Sequence, residues 1–180
     1  VDPAEVRQIG LNMESAHNLL PSQQYFNEVS DPVITFNTNA SFTQAWRDRW
    51  GANIDSYSEF VEFLTGTGVA RTKPSATNLA IPEVLRGSVV ANVGEYHSNF
   101  DDFNYPDTMR VVQIAGWGMS TLKSIEYKKS FHLFDGYVSH FTREGDSTVV
   151  YPSALASDMG EKYYFNLFDY NDTGHGASHK

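Results

Sequence analysis

The fold is decided by the segment Gly145-Asp146-Ser147-Thr148-Val149-Val150-Tyr151-Pro152-Ser153-Ala154. One acidic residue, Asp146, follows a glycine and precedes the apolar run Val149-Val150-Tyr151, which we expect to form a strand. An α/β sheet gathers its functional groups at the ends of its strands. The segment therefore predicts the functional corner of an α/β sheet, with Asp146 as its acidic group.

Composition limits the class of protein. The 180 residues are 41% hydrophobic and 14% aromatic, which is enough to bury a core. The net charge of -9 argues against binding to nucleic acid or to an anionic membrane, because both require clustered basic residues. The absence of cysteine excludes disulfides and thiolate zinc sites. No stretch approaches the roughly 20 apolar residues of a transmembrane segment.

Apolar runs before and after the Asp146 segment predict further strands. Residues 109–115 are typical of a buried parallel strand, and the glycine-rich exit Gly116-Trp117-Gly118 follows them. Residues 125–134 and 137–143 predict a hairpin that turns at Asp135-Gly136. Residues 162–168 predict the last strand.

Helical patterns occupy the first half of the chain. Apolar residues at three- and four-residue steps predict one helix that Pro21 ends, with a face made of Val6, Ile9, Met13, Ala16 and Leu20. A long helix is predicted from Pro82 to the residues before Tyr105-Pro106, with Tyr96 and Phe100 on its apolar face.

Residues 22–65 combine a loop with two short helices. Residues 33–36 predict a short edge strand, and the capping patterns Ser41-x-x-Gln44 and Ser56-x-x-Glu59 each open an aromatic-rich helix. Such helices form lids over acyl-binding pockets. They also form ordinary helical subdomains whose aromatic residues are core.

Gly145-Asp146-x-Thr148-Val149 followed by Ser153 resembles the acid motif of lecithin:cholesterol acyltransferase-like lipases in the α/β-hydrolase superfamily. That family usually has a second glycine where this chain has Ser147. The glycine-rich exit ending at Thr121 and the turn Leu19-Leu20-Pro21-Ser22 add to the resemblance. It covers residues 84–180 and, more weakly, residues 5–22.

The resemblance implies an α/β class and a partial α/β-hydrolase fold with a helical lid. Residues 1–22 would be a helix of the hydrolase core, residues 23–81 the lid insertion, and residues 82–180 the C-terminal part of the core. No G-x-S-x-G motif occurs in the 180 residues, so the nucleophilic serine and the oxyanion hole are expected in a preceding half of the domain. This chain alone is then expected to be inactive.

The resemblance also assigns roles to residues. A serine becomes nucleophilic when a histidine accepts its proton, and a carboxylate orients that histidine. Asp146 would be the carboxylate and His179 the base, with His175 as the second choice. Trp117 and Met119 would contact the substrate, a lipid or other acyl ester, and the chemistry requires neither a metal nor an organic cofactor. The alternative is a degenerate hydrolase or a non-catalytic surface binding domain.

Overall fold

The computed structural model describes residues 3–71, 73–74, 80–101, 103–129, 135–155 and 160–172. Within these ranges the helices are α1 (Pro3–Asn12), α2 (Glu14–His17), α3 (Gln23–Glu28), α4 (Gln44–Trp50), α5 (Tyr57–Thr65), α6 (Gly87–Asp101), α7 (Tyr151–Ala154) and α8 (Leu167–Asp172), with a 3-10 turn at Ser41–Thr43. The strands are β1 (Ile34–Phe36), β2 (Asn53–Ile54), β3 (Val112–Trp117), β4 (Thr121–Lys129), β5 (Asp135–Thr142) and β6 (Glu161–Asn166). None of these helices is both long and apolar enough to cross a bilayer.

The strands form two sheets, so the chain belongs to the general class of mixed α/β folds. The first has the order β2-β1-β4-β5, in which β1 runs antiparallel to β2 and parallel to β4, while β4 and β5 form an antiparallel hairpin. The second contains the parallel pair β3 and β6. The predicted edge strand at residues 33–36 is therefore wrong in one respect, because β1 has a neighbour on each side.

An aromatic cluster holds the first sheet to the helices that cover it. Phe63 is 1% exposed, and its ring centroid lies 5.4 Å from that of Trp46 and 5.7 Å from that of Phe36. Tyr127 of β4 joins the cluster at 5.3 Å from Trp46. The aromatic residues of the two short helices are thus core residues, and they pack against the hairpin.

Local capping explains where α5 begins. The Glu59 amide donates to Ser56 Oγ at 3.3 Å, and the Ser56 amide donates to the Glu59 carboxylate at 3.1 Å. These reciprocal bonds satisfy two amides that a helix N-terminus leaves without partners, as the capping pattern predicted.

Arg71 ties the end of α5 to the segment before α6. Its guanidinium donates to the carbonyls of Phe63, Leu64, Pro82 and Glu83, and its Cζ lies 4.7 Å from the centre of the Phe63 ring. Burial lowers the pKa of this guanidinium. One side chain thereby satisfies several backbone acceptors at once.

The first-half helices differ from the predicted ones. The predicted first helix is divided into α1 and α2, and Ile9 of its apolar face is 63% exposed. Helix α6 begins at Gly87 rather than Pro82, because the Leu85 amide donates to the Leu64 carbonyl and keeps that segment against α5. Its buried residues are Val89, Val90 and Val93, whereas Tyr96 and Phe100 are exposed.

The second-half strands also depart from expectation. The predicted parallel strand is confirmed as β3, but it is not buried, since Ile114 is 65% exposed. The hairpin is confirmed, yet Asp135 and Gly136 lie within β5 opposite Lys129 and Lys128, and residues 130–134 lie outside the described residues.

The predicted strand Val149-Val150-Tyr151 is wrong. Val150 makes only an isolated bridge to Gly145, and Tyr151 begins the short helix α7. Pro152 accounts for the difference, because proline lacks the amide that a strand ladder needs and suits the first turn of a helix.

We expect Phe63→Ala to lower the free energy of unfolding by about 3–5 kcal/mol, because a phenyl ring leaves a fully buried site. Chemical denaturation followed by tryptophan fluorescence measures this change. Phe141→Ala is the matched control: Phe141 is 61% exposed on β5, so about 0.5 kcal/mol or less is expected. Equal losses of unfolding free energy in the two variants would contradict the assignment of Phe63 to the core.

Candidate functional site

Asp146 lies in a tight turn between β5 and α7. One oxygen of its side chain, Oδ1, accepts hydrogen bonds from the amides of Thr148 at 2.9 Å and Val149 at 2.8 Å. The bridge between Gly145 and Val150 closes the turn at its base. A carboxylate held by two backbone amides has a defined direction, which is what an orienting group in catalysis needs.

A buried hydroxyl joins this turn to the connection between β3 and β4. Thr121 is fully buried, and its Oγ1 accepts a hydrogen bond from the Ser147 amide at 2.9 Å and donates to the Met119 carbonyl at 3.1 Å. The Met119 amide in turn donates to the Gly145 carbonyl at 3.0 Å. The position of Asp146 is thus determined by the start of β4 as well as by its own turn.

The exit of β3 reaches the Asp146 turn through a glycine. A Cβ atom on Gly116 would lie 3.2 Å from Asp146 Cβ and 2.6 Å from Leu167 Cδ1. Leu167 is the first residue after β6, the strand that runs parallel to β3. Asp146 therefore lies at the carboxyl edge of the parallel pair, where the segments that follow both strands meet.

A second close approach joins the ends of the two strands. Gly118 has a φ of 99°, and a Cβ atom there would lie 2.5 Å from Asn166 Oδ1. That oxygen accepts the Phe168 amide at 3.1 Å, and the Gly118 amide donates to the Arg143 carbonyl at 2.6 Å. Only a residue without a side chain fits between these segments.

The structure brings some of the predicted site residues together. Trp117 is the last residue of β3 and is 39% exposed, and half-buried Met119 bonds to the base of the Asp146 turn. Met119 therefore lies beside the turn, and Trp117 lies at the exit of β3 between Gly116 and Gly118. His179 and His175, the predicted base and its alternative, lie outside the described residues.

A histidine on the hairpin has a carboxylate partner outside the Asp146 turn. His140 Nε2 on β5 lies 3.3 Å from a Glu126 oxygen on β4, and hydrogen bonds from Asn37, Lys128 and His140 lower the pKa of Glu126. Among the residues that the structure describes, no group of three or more His, Asp or Glu side chains could hold a metal ion.

Sequence reasoning missed two contributors to the site. The Thr121 hydroxyl holds the Asp146 turn, and Leu167 packs at the exit of β3. The signal for Thr121 was a hydroxyl residue directly after a glycine-rich strand exit. Leu167 had no local signal, because its neighbours come from distant parts of the chain.

Comparison with known protein families, curated proteins and solved structures finds no match to this chain.

Ser147→Gly is expected to raise the free energy of unfolding by about 0.5–1 kcal/mol. Ser147 has a φ of 81°, in the left-handed region, which costs a non-glycine residue about 1–2 kcal/mol; the greater chain entropy of glycine offsets part of the gain. Urea denaturation monitored by circular dichroism measures the difference.

Ser98→Gly on α6 is the control for this prediction. Ser98 is exposed and helical, so glycine is expected to lower stability there by about 0.5 kcal/mol. A loss of stability in both variants would contradict the left-handed backbone assigned to Ser147.

Proposed function

We propose that this chain is the acid and base part of a serine hydrolase of the lipase or acyltransferase type, which cleaves or transfers acyl groups of lipid esters. One observation carries the proposal: Asp146 lies at the carboxyl edge of the parallel pair β3 and β6, beside Gly116 of β3, which Leu167 at the end of β6 also approaches. A partial α/β-hydrolase fold places its triad acid and the loop bearing its histidine at that edge.

In the proposed mechanism a serine that precedes residue 1 attacks the ester carbonyl. His179, or His175 in its place, accepts the serine proton and then gives it to the leaving alcohol. Asp146 orients the histidine and stabilises its protonated form, while the two backbone amides on Oδ1 hold Asp146 itself. Trp117 and Met119, beside the turn, contact the substrate.

The exposed faces of the second sheet support the existence of a further part of the domain. Parallel sheets are normally covered on both faces. In β3 and β6, however, Ile114, Tyr164 and Phe165 are each more than half exposed. We propose that the half bearing the serine and the oxyanion hole covers these faces and extends the sheet.

Exposed aromatic residues of β3 and β6 also fit the alternative function, that of a binding domain. A degenerate hydrolase or a non-catalytic surface binding domain would use Trp117, Tyr164 and Phe165 to contact a partner. The two functions differ in one respect: only the hydrolase has a serine that reacts covalently with an acyl-type inhibitor.

In the intact protein, a fluorophosphonate probe is expected to label one serine outside residues 1–180. Asp146→Asn is expected to lower kcat for a 4-nitrophenyl ester by about 10³- to 10⁴-fold, because the histidine loses the partner that orients it. Peptide mass spectrometry locates the adduct, and steady-state kinetics measures kcat.

The control is Glu144→Gln, which removes an exposed carboxylate two residues away and is expected to leave kcat unchanged. His179→Ala and His175→Ala identify the base, since only one of the two should match the loss in Asp146→Asn. Absence of both labelling and ester hydrolysis in the intact protein would exclude the hydrolase and favour the binding domain.

A further inference from the structure

An apolar cavity of about 470 Å³ lies between the aromatic cluster and the Asp146 turn. Phe60, Phe63 and Leu64 of α5 line one side, and residues 148–150 of the turn line another. The volume falls within the range of about 300–1,000 Å³ that is usual for small-molecule sites. Trp117 and Met119 do not line this cavity.

The cavity touches the candidate acid through the backbone. Thr148 and Val149 line it, and the amides of the same two residues hold the Asp146 carboxylate. A molecule that contacts Thr148 or Val149 in the cavity therefore lies beside the turn that holds the group proposed to orient the catalytic histidine.

Polar side chains are few in the lining. Apart from two tyrosines, the residues with a hydroxyl or a charge are Lys123 and Ser124 on β4, Thr148 in the turn and Ser153 on α7. These segments are neighbours, because Thr121 at the start of β4 bonds to the Ser147 amide. The rest of the lining is mainly apolar and includes Leu19, Leu20 and Leu64.

The two tyrosines in the lining do not add charge. Burial raises the pKa of both Tyr25 and Tyr127, so both hydroxyls are neutral at physiological pH. Lys123 is already paired with Asp31 at 2.6 Å, and this hydrogen bond raises the pKa of its amine. The cavity is thus suited to a largely uncharged, apolar occupant.

We infer that this cavity holds the hydrocarbon chain of an acyl group, with its carbonyl end beside Thr148 and Ser153 and its tail against α5. An alkyl chain makes dispersion contacts with an apolar lining and needs no hydrogen-bond partners there. The direction of the chain rests on the proposed function, because the ester carbonyl must reach the triad. The prediction that the cavity binds a hydrocarbon chain does not rest on the proposed function.

The test is binding of cis-parinaric acid, a fatty acid that fluoresces in apolar surroundings, to the purified intact protein. We expect saturable binding of one molecule per chain. Octanoate, dodecanoate and hexadecanoate should displace it with increasing affinity, since each buried methylene tightens binding about fourfold. Non-saturable binding, or displacement that is independent of chain length, would overturn the inference.

Substitution of Ser153 locates the bound chain. Ser153→Trp places an indole in the lining of the cavity and is expected to weaken probe binding at least tenfold. Ser58→Trp is the matched control, because Ser58 is exposed on α5 and does not line the cavity. If circular dichroism shows that Ser153→Trp is unfolded, Ser124→Phe on β4 makes the same test. Wild-type affinity in a folded cavity variant would overturn the inference.

Fluorophosphonate labelling separates this inference from the proposed function. Length-dependent binding that Ser153→Trp abolishes, in a protein with no reactive serine, supports the cavity and excludes the hydrolase. A labelled serine in a protein whose probe affinity does not respond to the cavity variants supports the hydrolase and overturns the cavity.

Discussion

The burial of Tyr127 among aromatic rings is the constraint on which the rest of the structure depends. Tyr127 lies on β4, and its ring is within 6.2 Å of those of Phe36, Trp46 and Phe63. Large aromatic side chains dominate the energetics of a core, so this cluster determines where β4 runs. The same strand begins at Thr121, whose hydroxyl holds the Asp146 turn. Core and candidate site are therefore joined by one strand.

The close approach of three backbone segments determines which groups meet at the candidate site. Gly116 and Gly118 allow the Asp146 turn, the exit of β3 and the segment after β6 to meet within van der Waals distance. A Cβ atom on Gly116 would contact both Asp146 and Leu167, and one on Gly118 would contact Asn166 and Phe168, so a side chain at either position would push these segments apart. The convergence of these segments at the carboxyl edge of two parallel strands is the geometric basis of the proposed triad.

The chain has two contrasting apolar regions beside the Asp146 turn. The cavity between the turn and α5 is lined by residues from the first sheet and its helices, and most of them are apolar. The faces of β3 and β6 are open, with Ile114 and Phe165 more than half exposed. A concave apolar region suits a small apolar molecule, whereas an open sheet face suits a protein surface. We therefore propose that the hydrocarbon chain of the substrate and the half that bears the serine lie on different sides of the Asp146 turn.

Periodicity and capping determined most of the local structure. The sequence alone predicted α5 with its Ser56 and Glu59 cap, the hairpin of β4 and β5, and the strands β3 and β6. These features depend on neighbours within a few residues, so a local pattern is sufficient to indicate them.

Only the tertiary structure decided how these pieces meet. It gave β1 a neighbour on each side and placed the aromatic residues of residues 42–63 in one core with Tyr127. It also brought Thr121 and Leu167 to Asp146. Each of these outcomes depends on contacts between residues far apart in the chain, and no local pattern carries that information.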